Sequence, residues 1–103
     1  MVEAVKKINQ KYHLKIDQYD LIELNEAFAV QVLGVCQGLG IDPMKINQWG
    51  GAIALGHPLG ASGARITTTL LSQMTKNPKA KFGLASMCIG VGQGIGCAFE
   101  NMN

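Results

Sequence analysis

Ten of the 13 glycines in this 103-residue chain fall in two short stretches, residues 50–63 and 83–96. This clustering constrains the fold more than any other feature. Without a Cβ, glycine reaches positive φ and admits close backbone approach, at a cost in chain entropy. Two glycine-dense stretches therefore mark two places where the backbone turns sharply or where neighbouring chain or ligand comes close. The first reads GGAIALGHPLGASG and holds Gly50, Gly51, Gly56, Gly60 and Gly63; the core of the second is the turn CIGVGQG at 88–94. Apolar residues are interleaved with both, no fixed-period repeat occurs, and neither stretch reads as a flexible linker.

The remaining segments supply regular elements. Val2, Val5, Ile8 and Tyr12 recur at helical spacing with lysines between them, which predicts an amphipathic helix over 2–12. A turn over 17–20 leads into a short, mostly apolar strand at 21–24. Residues 27–39 form an apolar run closed by Gly38 and Gly40 with Pro43 beyond, the pattern of a buried helix with its stop signal. Residues 44–49 are expected to be extended or loop. A second largely buried helix is expected over 64–74, a strand over 81–87 and a closing strand over 95–100, the last two antiparallel across the glycine turn. The alternation of helix and strand implies an α/β fold: a mixed sheet with helices on its faces, in an α/β/α layering.

Composition excludes several functions. A formal net charge of +2 with scattered lysines provides no basic stripe for a phosphate backbone, so no nucleic-acid partner is expected. No apolar run approaches the ~20 residues of a membrane span. The opening MVEAVKKINQ lacks the apolar stretch of a secretory signal, which makes a cytoplasmic location the default expectation. Cys36, Cys88 and Cys97 form no CxxC pair, so neither a disulfide framework nor a metal site is expected. Charged residues make up only 16%, against ~25% for an ordinary soluble domain. A small domain has proportionately more surface to hydrate, so low charge points to a covered surface or to a part of something larger.

Three residues could carry chemistry. Cys88 precedes Gly90 and Gly92, where a thiol could act as nucleophile or base beside free backbone N–H groups; the alternative is an ordinary buried cysteine. His57 lies between Gly56 and Pro58, which holds the histidine backbone toward extended geometry, so its ring could donate to developing negative charge or polarise a thiol. The alternative is a structurally satisfied loop histidine. Asn25 joins a strand to a helix; its common role there is an N-cap, its chemical alternative the fixing of a water or oxyanion. Phe28 and Trp49 are apolar anchors expected in the core, as are Cys36 and Cys97, whereas His13 is expected at the surface. Other motifs fail: GVGQGIG is not a GxGxxG, GHPLGASG lacks the Lys-Ser/Thr of a phosphate loop, and Ser62 is in no GxSxG nucleophile turn.

Together, NEAFA at 25–29, GGAIALGHPLGASGAR at 50–65 and CIGVGQG at 88–94 resemble the thiolase family, over nearly the whole chain and in the family's order. The pattern is nearest its acetyl-CoA acetyltransferase (acetoacetyl-CoA) branch. The resemblance implies Claisen condensation of two acetyl-CoA molecules, or the reverse thiolysis, with a coenzyme A thioester as substrate and no tightly bound cofactor. It implies that Cys88 exchanges the α-proton of acetyl-CoA, while His57 activates an acyl-accepting cysteine and helps bind the enolate oxygen. Asn25 would hold a water completing that oxyanion hole. The Gly90 N–H would serve a second hole, and Phe28 would line the substrate pocket. It also implies that residues 1–103 are a thiolase C-terminal domain without the N-terminal half and the CoA-binding loop domain, and that the longer subunit forms a homodimer or homotetramer. The acyl-accepting cysteine has no candidate here, so the 103 residues alone are expected not to turn over acetyl-CoA. Where the family often has Asn-Val-Asn before Gly-Gly, this chain has Asn47-Gln48-Trp49, placing a large ring where a small amide is common. The alternatives are a degradative 3-ketoacyl-CoA thiolase domain, a Cys-His-Asn hydrolase using Cys88, His57 and Asn25, and a non-catalytic assembly module.

Overall fold

A computed structural model describes residues 1–102 as an α/β/α layering built on a three-stranded sheet. Helix α1 (Val2–Tyr12) leads through a 3-10 turn at Ile16–Gln18 into strand β1 (Leu21–Leu24), followed by α2 (Ala29–Leu39). A second 3-10 turn, Pro43–Lys45, and a one-turn helix α3 (Ala52–Leu55) precede the long helix α4 (Ser62–Lys76) and the hairpin of β2 (Phe82–Gly90) and β3 (Gln93–Glu100). The strand order is β1-β2-β3, with β1 and β2 parallel and β2 and β3 antiparallel.

Alternation along the strands divides the core in two. Ile22, Leu24 and Leu84 face Val5 of α1 and Val32, Val35 and Cys36 of α2. Leu21 and Ala85 face Ile66, Leu70 and Met74 of α4, which recur at helical spacing. With helices on both faces, all four residues of β1 are buried, as a covered parallel strand requires. Its Glu23 is buried too: Oε2 accepts from Gln73 Nε2 at 3.0 Å, and Arg65 Nη1 lies 3.7 Å from Oε1. Burial pushes the Glu23 carboxyl above its ordinary range, against the smaller opposing pull of the Gln73 hydrogen bond and the Arg65 charge.

Several expectations are corrected. Helix α2 begins at Ala29, because Phe28 holds an extended conformation (φ −143°, ψ 145°) as the capping residue. It is buried along one stripe only, leaving Val30 and Leu33 outward. Helix α4 starts two residues earlier than its apolar pattern and runs two further. The second glycine stretch is mostly strand: β2 continues to Gly90, and the turn contracts to Val91 and Gly92, both at positive φ (53° and 71°), as a tight type I′ hairpin requires. Cys88 pairs with Gly94 and Gly90 with Gln93, so Ile89 is the extra residue of a bulge. Cys97 and Trp49, expected in the core, are exposed; Cys97 lies on the α4 side of β3, which is only partly covered, and Trp49 lies in the loop before α3.

Candidate active site

The site forms at the carboxyl-terminal end of the parallel pair, where ligands gather in open α/β sheets. Asn25 is the first residue beyond β1, and its N–H donates to the Ser86 carbonyl at 2.9 Å, prolonging the β1–β2 ladder by one bond. Two residues beyond Ser86 stands Cys88, its thiol partly exposed. The glycine stretch 50–63 brings in the third group. His57 follows Gly56 (φ 110°), and its Nδ1 lies 2.5 Å from Oγ of Ser62, at the start of α4. The Asn25 carboxamide reaches the same ring, with Nδ2 3.4 Å from Nε2 and 3.5 Å from Nδ1. The first turn of α4 carries no acidic residue, so its dipole keeps a partial positive charge toward this end of the sheet.

Asn25 is wholly buried, and it is not the N-cap of α2: that position belongs to Phe28, three residues on. Its Oδ1 has no hydrogen-bond partner. Burying an amide oxygen unpaired costs about 1–3 kcal/mol, so the fold holds this group against a stability preference. Gly90 sits at φ 91° with an exposed backbone. That conformation is strained for side-chain-bearing residues, and the bulge at Ile89 immediately precedes it in β2. Phe28 is 71% exposed, and the site loops also carry uncovered Leu59 (79%) and Val91 (99%). The grooves of about 790, 630 and 480 Å³ elsewhere on the molecule include none of Asn25, His57 or Cys88 among their walls. Burial pushes the Cys36 thiol up from its ordinary range, which suits a packing role.

Three residues that sequence reasoning left aside hold these loops together. The Glu26 carboxylate accepts from Asn47 Nδ2 (Oε2, 3.1 Å) and from the Ile53 N–H (Oε1, 3.1 Å), bracing the segment after Asn25 against α3. Asn47 in turn accepts from the Leu24 N–H (2.9 Å) and donates to the Leu24 carbonyl (2.8 Å), occupying the outer edge of β1 as a neighbouring strand would. Gly51 lies against Glu26 so closely that an added Cβ would stand 2.1 Å from Oε1. Among the described residues, no group of three His, Cys, Asp or Glu side chains could hold a metal ion, and no helix is long and apolar enough to cross a membrane.

Comparison with known proteins completes the picture. The chain is 54% identical over 101 residues to the "Beta-ketoadipyl-CoA thiolase" of Acinetobacter baylyi, a match over 96% of this chain and 25% of that protein. It is 57% identical over 102 residues to the "3-ketoacyl-CoA thiolase" of Aliivibrio salmonicida, over 96% of this chain and 26% of that one. The chain thus spans about a quarter of the length of these curated relatives. Among solved structures, it superposes on the peroxisomal 3-ketoacyl-CoA thiolase of Saccharomyces cerevisiae with a TM-score of 0.86 and 43% identity, covering 97% of this chain and 28% of that one. That protein is described as five layers, α-β-α-β-α, constructed from two core domains of identical topology. The family model described as "Thiolase, C-terminal domain" matches residues 1–101, and the chain belongs to that family.

Proposed function

We propose that this chain supplies the C-terminal catalytic loops of a thiolase that cleaves 3-ketoacyl-CoA with coenzyme A, or runs the reverse condensation. The observation that carries the reading is the convergence of Asn25 on His57, with Cys88 two residues beyond the β2 position that holds Asn25. In the condensing direction, an acyl-cysteine on the N-terminal half, outside this chain, presents its thioester carbonyl. The Cys88 thiolate takes the α-proton of the second CoA thioester. The resulting carbanion attacks the acyl carbonyl, forming the C–C bond and releasing the cysteine thiolate. Thiolysis reverses this: the acyl-accepting cysteine attacks the 3-keto carbon, Cys88 returns a proton to the departing enolate, and CoA then takes the acyl group. In either direction negative charge builds on the enolate oxygen, where a His57 ring N–H and a water held by Asn25 would lie. The Gly90 N–H would serve the tetrahedral oxyanion. Each such donor is worth ~10²–10³ in rate.

The named relatives act, by name, on 3-ketoacyl-CoA and β-ketoadipyl-CoA, which favours a 3-ketoacyl-CoA substrate over one restricted to acetoacetyl-CoA. The exposed Phe28, Leu59 and Val91 would be covered by the N-terminal half and by the acyl chain. A cytoplasmic, homo-oligomeric complete subunit belongs to the same proposal.

The test is CoA-dependent cleavage of 3-ketoacyl-CoA by the complete subunit carrying this chain, as wild type and as Cys88→Ala. Cleavage by the wild type with a loss of at least ~10³-fold in the variant is expected, the scale seen when a group acting directly on the reacting atoms is removed. Wild-type levels in the variant would remove Cys88 from the reaction. Hydrolysis of simple esters without CoA, blocked by iodoacetamide, would favour the Cys-His-Asn hydrolase.

A further inference from the structure

We infer that Ser62 is a positioning residue that sets the proton of the neutral His57 ring on Nε2, making His57 a hydrogen-bond donor in the resting site. The inference rests on His57 facing the reacting atoms as proposed above, and goes beyond it by naming the residue that decides which ring nitrogen carries the hydrogen.

The argument is a count of lone pairs. Ser62 is 1% exposed, and its Oγ has two neighbours of its own: His57 Nδ1 at 2.5 Å and the Pro58 carbonyl oxygen at 3.2 Å. The hydroxyl has a single proton, so it donates to one of them. The Pro58 carbonyl already accepts two backbone bonds, from Ala61 N–H at 2.8 Å and Ser62 N–H at 3.0 Å, as the chain turns into α4. A carbonyl oxygen has two lone pairs, and both shorter bonds come from groups fixed by the backbone. The Ser62 proton is therefore left for Nδ1. A neutral imidazole that accepts at Nδ1 carries its hydrogen on Nε2.

Asn25 does not disturb this assignment. Its Nδ2 is nearly equidistant from the two ring nitrogens, at 3.4 and 3.5 Å, which places it off the in-plane direction of either lone pair. Nε2–H thus remains free to donate to an oxygen that gains charge.

The chain suits a direct test, because it has only two histidines, and the other, His13, is exposed at the end of α1. Uniform ¹⁵N-histidine labelling of the 103-residue chain, with two-bond ¹H–¹⁵N correlation above the titration range, reads both tautomers. The expected result is a pyridine-type Nδ1 and a pyrrole-type Nε2 for His57. In Ser62→Ala, His57 relaxes toward the averaged ratio shown by His13, and Ser62→Thr, which keeps the hydroxyl, restores the wild-type pattern. A pyrrole-type Nδ1 in the wild type, or an identical His57 spectrum in wild type and Ser62→Ala, would overturn the inference. In the complete subunit, Ser62→Ala should lower kcat about tenfold with KM little changed, and Ser62→Thr should recover most of it. A Ser62-dependent tautomer in a subunit that does not cleave 3-ketoacyl-CoA would sink the thiolase reading alone; an active subunit whose His57 ignores Ser62 would sink this inference alone.

Discussion

Asn47 offers a demanding test of how the loops are held. Its side chain closes the outer edge of β1 with two bonds to Leu24, at 2.9 Å from the N–H and 2.8 Å to the carbonyl, and a third reaches Glu26 at 3.1 Å. Leu24 has no exposed surface, so Asn47→Ala strands a buried N–H and a buried carbonyl. Each unpaired backbone group costs about 1–3 kcal/mol, and water entering the vacated space recovers part of it. Position 47 also sits at φ 50°, a region that asparagine tolerates better than alanine, adding about 1 kcal/mol. The expected total is about 3–5 kcal/mol, a large share of the ~5–15 kcal/mol that holds a domain together. Urea unfolding followed by far-ultraviolet circular dichroism reads this as a lower midpoint at unchanged slope. Gln48→Ala, at the exposed neighbouring position, should change stability by no more than ~0.5 kcal/mol. A loss below about 1 kcal/mol in Asn47→Ala would refute the idea that this side chain replaces a neighbouring strand.

Asn25→Ala should show the opposite pattern, because its Oδ1 is already unpaired: stability within ~1 kcal/mol of wild type by the same assay, but kcat of the complete subunit down ~10²–10³-fold. Loss of stability without loss of rate would return Asn25 to a purely structural role. Gly51→Ala should displace the Glu26 carboxylate from Asn47 and Ile53, destabilising the chain by about 2–4 kcal/mol and exposing the Ile53 amide to faster hydrogen exchange; unchanged exchange there would contradict the bracing role. For Glu23, burial raises the folded-state pKa, so the folded chain holds a proton that the unfolded chain has already lost. That contribution is complete below the unfolded glutamate value of ~4.3 and disappears as pH rises through the raised folded value. Glu23→Gln should flatten the fall in urea midpoint above pH ~4.3, and parallel pH profiles for the two proteins would rule the effect out.

The sequence by itself determined the local elements whose signals are local. Helix α1 spans 2–12 as the spacing of Val2, Val5, Ile8 and Tyr12 requires, and β1 occupies 21–24 as expected. The antiparallel hairpin followed from two apolar runs across a glycine turn. The three motifs were sufficient to identify the family, because their residue types and order are specific over most of the chain. Tertiary structure alone decided what each side chain faces. Asn25 reads as a helix cap from its position between strand and helix, yet pairing with Ser86 of β2 carries it past that role to His57, 32 residues away in sequence. Trp49 and Cys97 read as core from hydrophobicity, but both are exposed: Cys97 sits on a partly covered edge strand of a three-stranded sheet, and Trp49 on the loop before α3. Ser62, Asn47 and Glu26 carry no local mark of function. Their roles are hydrogen bonds to residues 5, 23 and 27 positions away, and a directional bond becomes meaningful only when folding has brought both partners within 3 Å or so.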